Sequence, residues 1–212
     1  LSAAAPMAEA ARMVARAAAA HRADPHAPVR ITATASVAMF LSLHAVELAH
    51  AAGPAEVALI PTRRRLDLAG GEADIGLRMP RLPEGGELVS RRLGAVAFAV
   101  YERRDDPPAA VIAPPEDPDL SRQAAFVARI AGGRPVAARI GDMPTRHQAA
   151  RAGLGAAFLP CWAGDADPVL RRLGAPEDEL VEDVFLIMPA RGPRRPAVRR
   201  VANALVALFR RQ

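Results

Sequence analysis

Three residues have the side chains that a serine hydrolase uses: Ser36, Asp142 and His147. In many hydrolases the nucleophilic serine stands in a tight Gly-x-Ser-x-Gly turn that exposes its hydroxyl. No such turn surrounds Ser36, and the pattern around His147 predicts a surface residue within a helix. A triad requires a histidine that hydrogen-bonds both the serine and the aspartate; with no such turn and with His147 on a helix surface, the sequence predicts no catalytic residues.

Metal and cofactor sites need groupings that this sequence lacks. The single Cys161 has no partner cysteine, and the Gly-Leu-Gly at 153–155 follows a predicted helix and lacks the remaining glycine of a dinucleotide loop. A phosphate-binding loop with Gly-Lys-Ser/Thr is excluded because the chain contains no lysine. We therefore predict no cofactor and no metal. No i, i+4 pair occurs among the five histidines, which are His21, His26, His44, His50 and His147.

Two polar residues favour an anionic ligand. Ser36 follows the strand-like VRITATA at the predicted start of a helix, where free N–H groups and the helix dipole attract negative charge. The same hydroxyl is equally suited to cap that helix. Arg78 ends the stretch GEADIGLR, and its fork of donors suits a carboxylate. The chain is long enough for two small lobes, and an ion pair at the surface or between such lobes is the alternative role for Arg78.

Composition indicates a soluble protein. All 28 basic residues are arginine, the net charge is +5, and the arginines are scattered as pairs without interleaved aromatics. We therefore interpret them as a solvated surface and not as a nucleic-acid stripe. No apolar run approaches the roughly 20 residues that span a bilayer. Glu9, Arg12 and Arg16 interrupt the alanine-rich start, which argues against a signal peptide, and the lone cysteine suits the cytoplasm.

Hydrophobic periodicity predicts an α/β protein in which strands and helices alternate. Its first part reads strand–helix–strand–helix–strand, which is typical of a parallel sheet. A segment rich in proline and aspartate, 105–118, is predicted to be irregular. We predict helices at 7–22, 37–52, 62–68, 123–131, 144–152 and 195–211, and strands at 29–35, 55–60, 74–77, 88–101, 136–140, 156–159 and 184–188.

Several blocks occur in an order that resembles one family. VRITATAS, GEADIGLR, RRLGAVAFAVYERRD, QAARAGLGAAFLP and the tail from DVFLIMPARGPRRP onward resemble the effector-binding region of LysR-type transcriptional regulators. The resemblance covers residues 29–212. It implies two Rossmann-like lobes of the type 2 periplasmic-binding-protein fold, joined by two crossing strands. It also implies that a small effector lies in the cleft between the lobes, where open α/β sheets bind ligands.

The resemblance implies a division of the chain. Residues 1–27 would be the end of a linker helix and a linker, residues 28–100 with 188–212 lobe I, and residues 101–187 lobe II. In this family a winged helix-turn-helix precedes the linker helix and is not part of this sequence. DNA is therefore an expected partner only through that missing domain, and no membrane partner is expected.

Further ligand contacts are carried over from the family. Thr62 follows the second strand and corresponds roughly to a polar contact, and the loop from Asp142 to Thr145 would face the cleft opposite Ser36. Ordinary N-capping is the alternative role of Asp142. Tyr101 would lie on the crossing strand. The full set of predicted effector contacts is Thr34, Ser36, Val37, Thr62, Arg78, Met79, Tyr101, Asp142, Met143, Pro144 and Thr145.

The resemblance also implies self-association as a homodimer or homotetramer. Helix 37–52 and strand 55–60 of one chain would pack antiparallel against the 144–152 region of another, with Ala45, Ala49 and Ala149 allowing close approach. Effector-induced closure of the lobes would then alter the spacing of the DNA-binding domains. The alternative is a free-standing solute-binding protein of the same fold, which would need a secretory leader.

Overall fold

The computed structural model describes residues 24–79, 87–175, 177–190 and 194–211. The helix predicted over 7–22 lies outside these ranges. The chain divides into two compact units: unit 1 holds the described residues up to Gly94 and from Phe185 onward, and unit 2 spans Ala95–Val184. The lobe limits predicted at residues 100 and 187 lie close to these unit limits.

Strands and helices alternate along most of the described chain, which confirms the α/β prediction. A 3-10 turn at Pro118–Leu120 precedes the helix of residues 121–131. The elements are β1 (Val29–Ala33), α1 (Ala35–Leu43), α2 (Ala45–Ala52), β2 (Val57–Pro61), β3 (Ile75–Arg78), β4 (Leu88–Arg103), β5 (Val111–Ala113), α3 (Ser121–Ala131), β6 (Val136–Arg139), α4 (Met143–Arg151), β7 (Ala156–Pro160), α5 (Cys161–Gly164), β8 (Leu170–Leu173), β9 (Leu180–Pro189) and α6 (Pro196–Phe209).

Unit 1 is built on a sheet whose strands lie in the order β2-β1-β3-β9. β1 is parallel to both β2 and β3, whereas β9 is antiparallel to β3. Helix α6 packs against α2, and its Phe209 ring lies 5.3 Å from the ring of Phe40 in α1. Arg200 donates to the carbonyls of Ala51 and Ala52 at 2.8 Å and so satisfies the end of α2.

Unit 2 repeats this plan with the strand order β4-β7-β5-β6. β5 is parallel to β6 and β7, and β4 is antiparallel to both β7 and β8. Every residue of β5 and β7 is buried. The Phe98 and Phe158 rings stack 4.9 Å apart in this core, as expected for residues with high β propensity on a buried sheet.

Helix 37–52 is wrong as predicted, because the chain breaks at His44 into α1 and α2, which are bent by 80°. The N–H of His44 bonds the carbonyl of Leu41 three residues earlier, which tightens the last turn of α1 and ends it. A continuous apolar pattern across the break conceals it in the sequence.

The helix predicted at 62–68 is also wrong, because this segment is a loop. The Thr62 hydroxyl accepts from the N–H of Arg64 at 3.1 Å, and Asp67 accepts from the N–H of Gly70 at 2.7 Å. Such local side-chain bonds compete with a helix. The Glu72 carboxylate adds a third bond, from the N–H of Asp67 at 2.7 Å.

Three short elements escaped the sequence reasoning. β5 lies within the segment predicted to be irregular, and α5 and β8 were not predicted. These elements have three or four residues each, which is too short for periodicity to show. Within the described ranges no single helix is long and apolar enough to cross a membrane, although the bent pair α1–α2 meets the length and composition criteria together.

Candidate functional site

Three parallel strands of unit 1 end at the same edge of their sheet. Ala33, the last residue of β1, is opposite Pro61 of β2 and Leu77 of β3. The N–H of Thr62 donates to the carbonyl of Ala33 at 2.8 Å, so the loop after β2 starts beside the end of β1. The loops that leave the carboxyl ends of parallel strands commonly form ligand sites in α/β folds.

Arg78 lies at this edge and is 6% exposed. Its Nη2 donates to the Thr32 hydroxyl at 2.8 Å and to the Arg64 carbonyl at 3.1 Å, and its Nη1 donates to the Leu77 carbonyl at 2.9 Å. No carboxylate of the described residues pairs with it. The ion pair that the sequence allowed as an alternative is therefore absent from the described part of the chain.

Burial lowers the pKa of Arg78, and the nearby charge of Arg65 lowers it further. The two causes are distinct: burial removes water from the guanidinium, and the positive charge of Arg65 repels it. An anion at this edge would offset both. This edge of unit 1 is therefore electrostatically suited to a negatively charged ligand.

The amino terminus of α1 lies directly after β1. Thr34 occupies the N-cap position with φ −65° and ψ 156°, but its side chain makes no capping bond, and no acidic residue stands in the first turn. Ser36 is half-buried within that turn, with its Oγ 3.5 Å from the Thr34 Oγ1. The predicted capping role of Ser36 is therefore wrong, and the first N–H groups of α1 have no side-chain acceptor from the N-cap residue.

Other predicted contacts of unit 1 differ in their access to solvent. Thr62 is half-buried, and its hydroxyl accepts from Arg64. Val37 is 1% exposed and Met79 is 9% exposed, so both are part of the apolar interior. The structure brings Thr34, Ser36, Thr62 and Arg78 to the same edge of the sheet.

Asp74 holds unit 1 together at the opposite end of β3. Its Oδ2 accepts from the Arg30 N–H at 2.8 Å and lies 3.3 Å from Arg195 Nη2. Arg195 is 6% exposed and also donates to the carbonyls of Ala27 and Pro28. The acidic residue of GEADIGLR therefore joins β1, β3 and the start of α6.

In unit 2 the candidate loop begins α4. Asp142 caps this helix: its Oδ2 accepts from the Thr145 N–H at 3.0 Å and from the Thr145 hydroxyl at 2.6 Å. The capping role given above as an alternative is therefore present. Pro144 and Thr145 are exposed, whereas Met143 is 5% exposed and packs inward. The Thr145 hydroxyl proton is already used within the loop.

Arg146 was missed by the sequence reasoning, and no motif or spacing distinguishes it from the other arginines. It is 4% exposed and donates to the carbonyls of Ile140, Gly141 and Phe158 at 3.0, 3.3 and 3.1 Å. Burial lowers its pKa to about 10, while the charge of Asp142 acts in the opposite direction. Arg146 thus fixes the loop that carries Asp142 onto β7.

Tyr101 belongs to the core of unit 2. It is fully buried, and its hydroxyl donates to Asp165 Oδ1 at 2.8 Å. Burial raises the pKa of the phenol, and the hydrogen bond to Asp165 raises it further. Gly164 lies so close to the ring that even a methyl group would collide with it.

The prediction that His147 lies on the surface is wrong, because it is 8% exposed and its Nε2 lies 2.7 Å from Asp167 Oδ2. Arg151 donates to the same oxygen at 2.7 Å. Burial opposes ionisation of Asp167, but bonds from the Val169 N–H, Arg151 and His147 outweigh it and lower the carboxyl pKa. His147 and Asp142 thus have separate structural partners, and neither contacts a nucleophile among the described residues.

The interpretation of the arginines as a solvated surface is wrong for several of them. Arg78, Arg146 and Arg195 are buried, and Arg134 and Arg171 both bind Glu102, which is 1% exposed. Composition gives the number of arginines but not their acceptors. These side chains connect strand ends, loops and helices.

The family model described as the LysR substrate binding domain matches residues 22–210. Among curated proteins, none matches this sequence significantly. Solved structures with the same fold include a full-length OxyR variant from Pseudomonas aeruginosa (18% identity, 94% of this chain and 76% of that chain, TM-score 0.65). The CcmR regulatory domain from Synechocystis in complex with 2-PG is similar at 18% identity, covering 86% of this chain and 97% of that chain, with a TM-score of 0.65.

CbnR, a LysR family transcriptional regulator, is similar at 14% identity over 94% of this chain and 75% of that chain, with a TM-score of 0.62. At these identities the structural matches show the fold, which is that of the type 2 periplasmic-binding-protein-like domains. The family model covers nearly the whole sequence. The chain therefore belongs to the LysR substrate-binding domain family, the effector-binding domains of LysR-type transcriptional regulators.

Proposed function

We propose that this chain senses a small organic anion and thereby modulates transcription by a bacterial LysR-type regulator in the cytoplasm. The observation that carries the proposal is the edge of unit 1 where Thr34, Ser36 and Thr62 surround the end of β1 and Arg78 contributes a buried positive charge. Hydroxyl groups, free helix N–H groups and a cation together suit a carboxylate.

A small anionic ligand is compatible with this fold. The CcmR regulatory domain, whose fold this chain shares, is in complex with 2-PG. We propose that this chain binds a small molecule as that domain does. In unit 2 the exposed Pro144 and Thr145 are the candidate ligand contacts. Tyr101 and Met143 are buried, so they would affect a ligand only indirectly, through the residues packed on them.

A thermal-shift screen of the 212-residue chain tests the proposal. The panel contains aromatic and aliphatic carboxylates, with neutral sugars and amino acids for comparison. A ligand at about 100 Kd that binds only the folded state stabilises it by about 2.7 kcal/mol. We expect a carboxylate to raise the Tm of the wild type and Ser36→Ala to reduce that rise.

Ser42→Ala is the matched control. Ser42 lies in the same helix α1 and is exposed, and among the described residues its hydroxyl donates to the Met39 carbonyl at 2.7 Å. It should keep the full response. An equal loss of response in Ser36→Ala and Ser42→Ala would contradict a ligand contact at Ser36, because a general weakening of α1 would explain both.

We also propose that the chain self-associates through α1, α2 and β2. Leu43 and Val46 are 66% and 73% exposed at the junction of the two helices, and Ala45 and Ala49 are exposed beside them. Among the described strands β2 is at an edge of its sheet. A surface with large apolar side chains and small neighbours suits close packing against a second copy.

Sedimentation velocity tests the assembly. Val46→Glu places a charge in this surface. It should raise the dimer Kd by about tenfold or more and so shift the chain towards the monomer. Val89→Glu changes another exposed valine of unit 1, 44% exposed, and should leave the distribution unchanged. Equal behaviour of the two variants would exclude this surface as the interface.

A further inference from the structure

The chain enters unit 1 through a restrained segment, residues 24–28, directly before β1. Pro25 and Pro28 have fixed φ angles. The Asp24 carboxylate accepts from the N–H of His26 at 2.8 Å, and the Asp24 carbonyl accepts from the N–H of Ala27 at 3.4 Å. Ala27 is 4% exposed, whereas Pro25 and His26 are exposed. The segment therefore forms a turn that has one residue buried in unit 1.

Arg195, the N-cap residue of α6, holds this segment through a set of contacts that we call the Arg195 clamp. Its Nη1 donates to the Ala27 carbonyl, and its Nη2 donates to the Pro28 carbonyl at 2.6 Å. Nη2 also lies 3.3 Å from Asp74 Oδ2, which accepts from the Arg30 N–H at 2.8 Å. The side chains of Arg195 and Asp74 are 4% and 16% exposed. The clamp therefore joins the incoming segment to β1, to the start of β3 and to α6.

β1 and β3 connect the Arg195 clamp to the edge that carries the proposed site. The clamp lies at the amino ends of both strands, and the proposed site lies at their carboxyl ends, where Ala33 is opposite Leu77. The two strands are parallel neighbours in the sheet of unit 1. Paired strands resist relative movement because a shift of register would break their hydrogen bonds. The incoming segment and the proposed site are thus attached to opposite ends of the same strand pair.

Simple satisfaction of carbonyl groups is the competing explanation for Arg195. Arg200, on the same helix, has that role: it donates to the carbonyls of Ala51 and Ala52 at 2.8 Å, and the last carbonyls of a helix lack intrahelical partners. Arg195 instead bonds the carbonyls of an irregular segment and also contacts a carboxylate of another element. A planar fork that bonds several parts of the chain together restricts movement between them.

We infer that the Arg195 clamp fixes residues 24–28 to unit 1, so that this segment and the effector edge move as one body. The significance of the inference rests on the proposed function. The family resemblance implies a DNA-binding domain on the amino-terminal side of the segment, and a loose segment would not transmit a movement of unit 1 to it. The contacts of the clamp involve the chain alone, so its test needs no effector.

Hydrogen exchange of the whole 212-residue chain, followed by mass spectrometry, tests the clamp. The reporters in residues 24–30 are the N–H groups of Ala27, Val29 and Arg30, which donate to the Asp24 carbonyl, the Glu56 carbonyl and the Asp74 carboxylate. Arg195→Gln should accelerate exchange of these groups about tenfold, which corresponds to about 1.4 kcal/mol of local opening free energy. Exchange in α2 should change much less.

Arg200→Gln is the matched control because it also removes a guanidinium from α6 and two bonds to successive carbonyls. It should accelerate exchange in α2 and leave residues 24–30 unchanged. Asp74→Asn is the second clamp variant: it keeps the shape of the side chain and removes the charge beside Arg195. It should accelerate exchange over residues 24–30 to a smaller degree, and it decides the question if circular dichroism shows that Arg195→Gln does not fold.

Two results would overturn the inference. If Arg195→Gln and Arg200→Gln accelerate exchange alike over residues 24–30 and α2, Arg195 supports unit 1 in general and is not a clamp. Unchanged exchange over residues 24–30 in Asp74→Asn, and in Arg195→Gln where it folds, would also reject it. Neither result touches the proposed anion site. A thermal-shift screen without a response, combined with the expected exchange pattern, would reject the proposed function and leave the clamp in place.

Discussion

Replacement of Glu102 by glutamine should destabilise unit 2 more than any loss of a surface ion pair. Glu102 is 1% exposed and accepts three hydrogen bonds: from Arg134 Nη1 at 2.7 Å and from Arg171 Nη2 and Nε at 2.7 and 3.1 Å. Glutamine keeps the shape of the side chain and removes its charge. Two guanidinium groups would then face each other without a counter-charge.

The magnitude follows from how far each partner can return to water. Removal of one member of a buried ion pair costs about 3–5 kcal/mol. The side chains of Arg134 and Arg171 remain 28% and 47% exposed, so solvent replaces part of the lost interaction. We therefore expect Glu102→Gln to lower the free energy of unfolding by about 3 kcal/mol, the low end of that range.

Urea unfolding followed by tryptophan fluorescence measures this change where it occurs. Trp162 is the only tryptophan and lies in α5. It belongs to unit 2, which also contains Glu102. Glu116→Gln is the control in the same unit. Glu116 pairs with Arg139 at 2.9 Å, but the two side chains are 81% and 46% exposed, so the free energy of unfolding should fall by about 0.5 kcal/mol or less. A loss below about 1 kcal/mol for Glu102→Gln would refute the argument.

Three further changes test the packing and the charges. Gly164→Ala should destabilise unit 2 by at least about 2 kcal/mol in the same urea assay, because the added methyl collides with the Tyr101 ring. Folding lowers the pKa of Asp167, so the stability that its ionised carboxylate contributes is complete above the ordinary aspartate pKa and is lost as the pH falls through the lowered value. Asp167→Asn should therefore reduce the loss of stability at acid pH, measured by circular dichroism. Arg200→Leu should lower the free energy of unfolding by about 1 kcal/mol, measured by thermal denaturation, because the last carbonyls of α2 lose their donors.

The alternation of strands and helices was predictable because it depends on local pattern. β1, β3, β7 and α6 are long or strongly apolar, and their periodicity is visible without tertiary information. The loop after β2 was not predictable. Thr62 and Asp67 accept local backbone hydrogen bonds there, and Arg78, which lies on β3, donates to the Arg64 carbonyl. A helical assignment from residue preferences cannot include such bonds.

The candidate site was predictable in part, and for a similar reason. Ser36 and Thr62 follow strands, and the carboxyl ends of parallel strands meet at one edge, so their proximity follows from topology. Burial of the side chains does not follow from topology. Tyr101 and Val37 face the interior, and the sequence gives no sign of it because aromatic and aliphatic residues occur both in pockets and in cores.

The buried arginines show what the sequence leaves undetermined and why it bears on function. In a chain without lysine, arginine supplies every permanent cation, and its planar fork bonds carbonyls that loops leave unsatisfied. The role of each arginine is therefore defined by its counter-charge. Arg195 has Asp74, and Arg134 and Arg171 share Glu102, so removal of either acid should destabilise the fold. Arg78 donates instead to the Thr32 hydroxyl and to two carbonyls, and no carboxylate of the described residues pairs with it, which is why an anionic ligand is proposed at this edge.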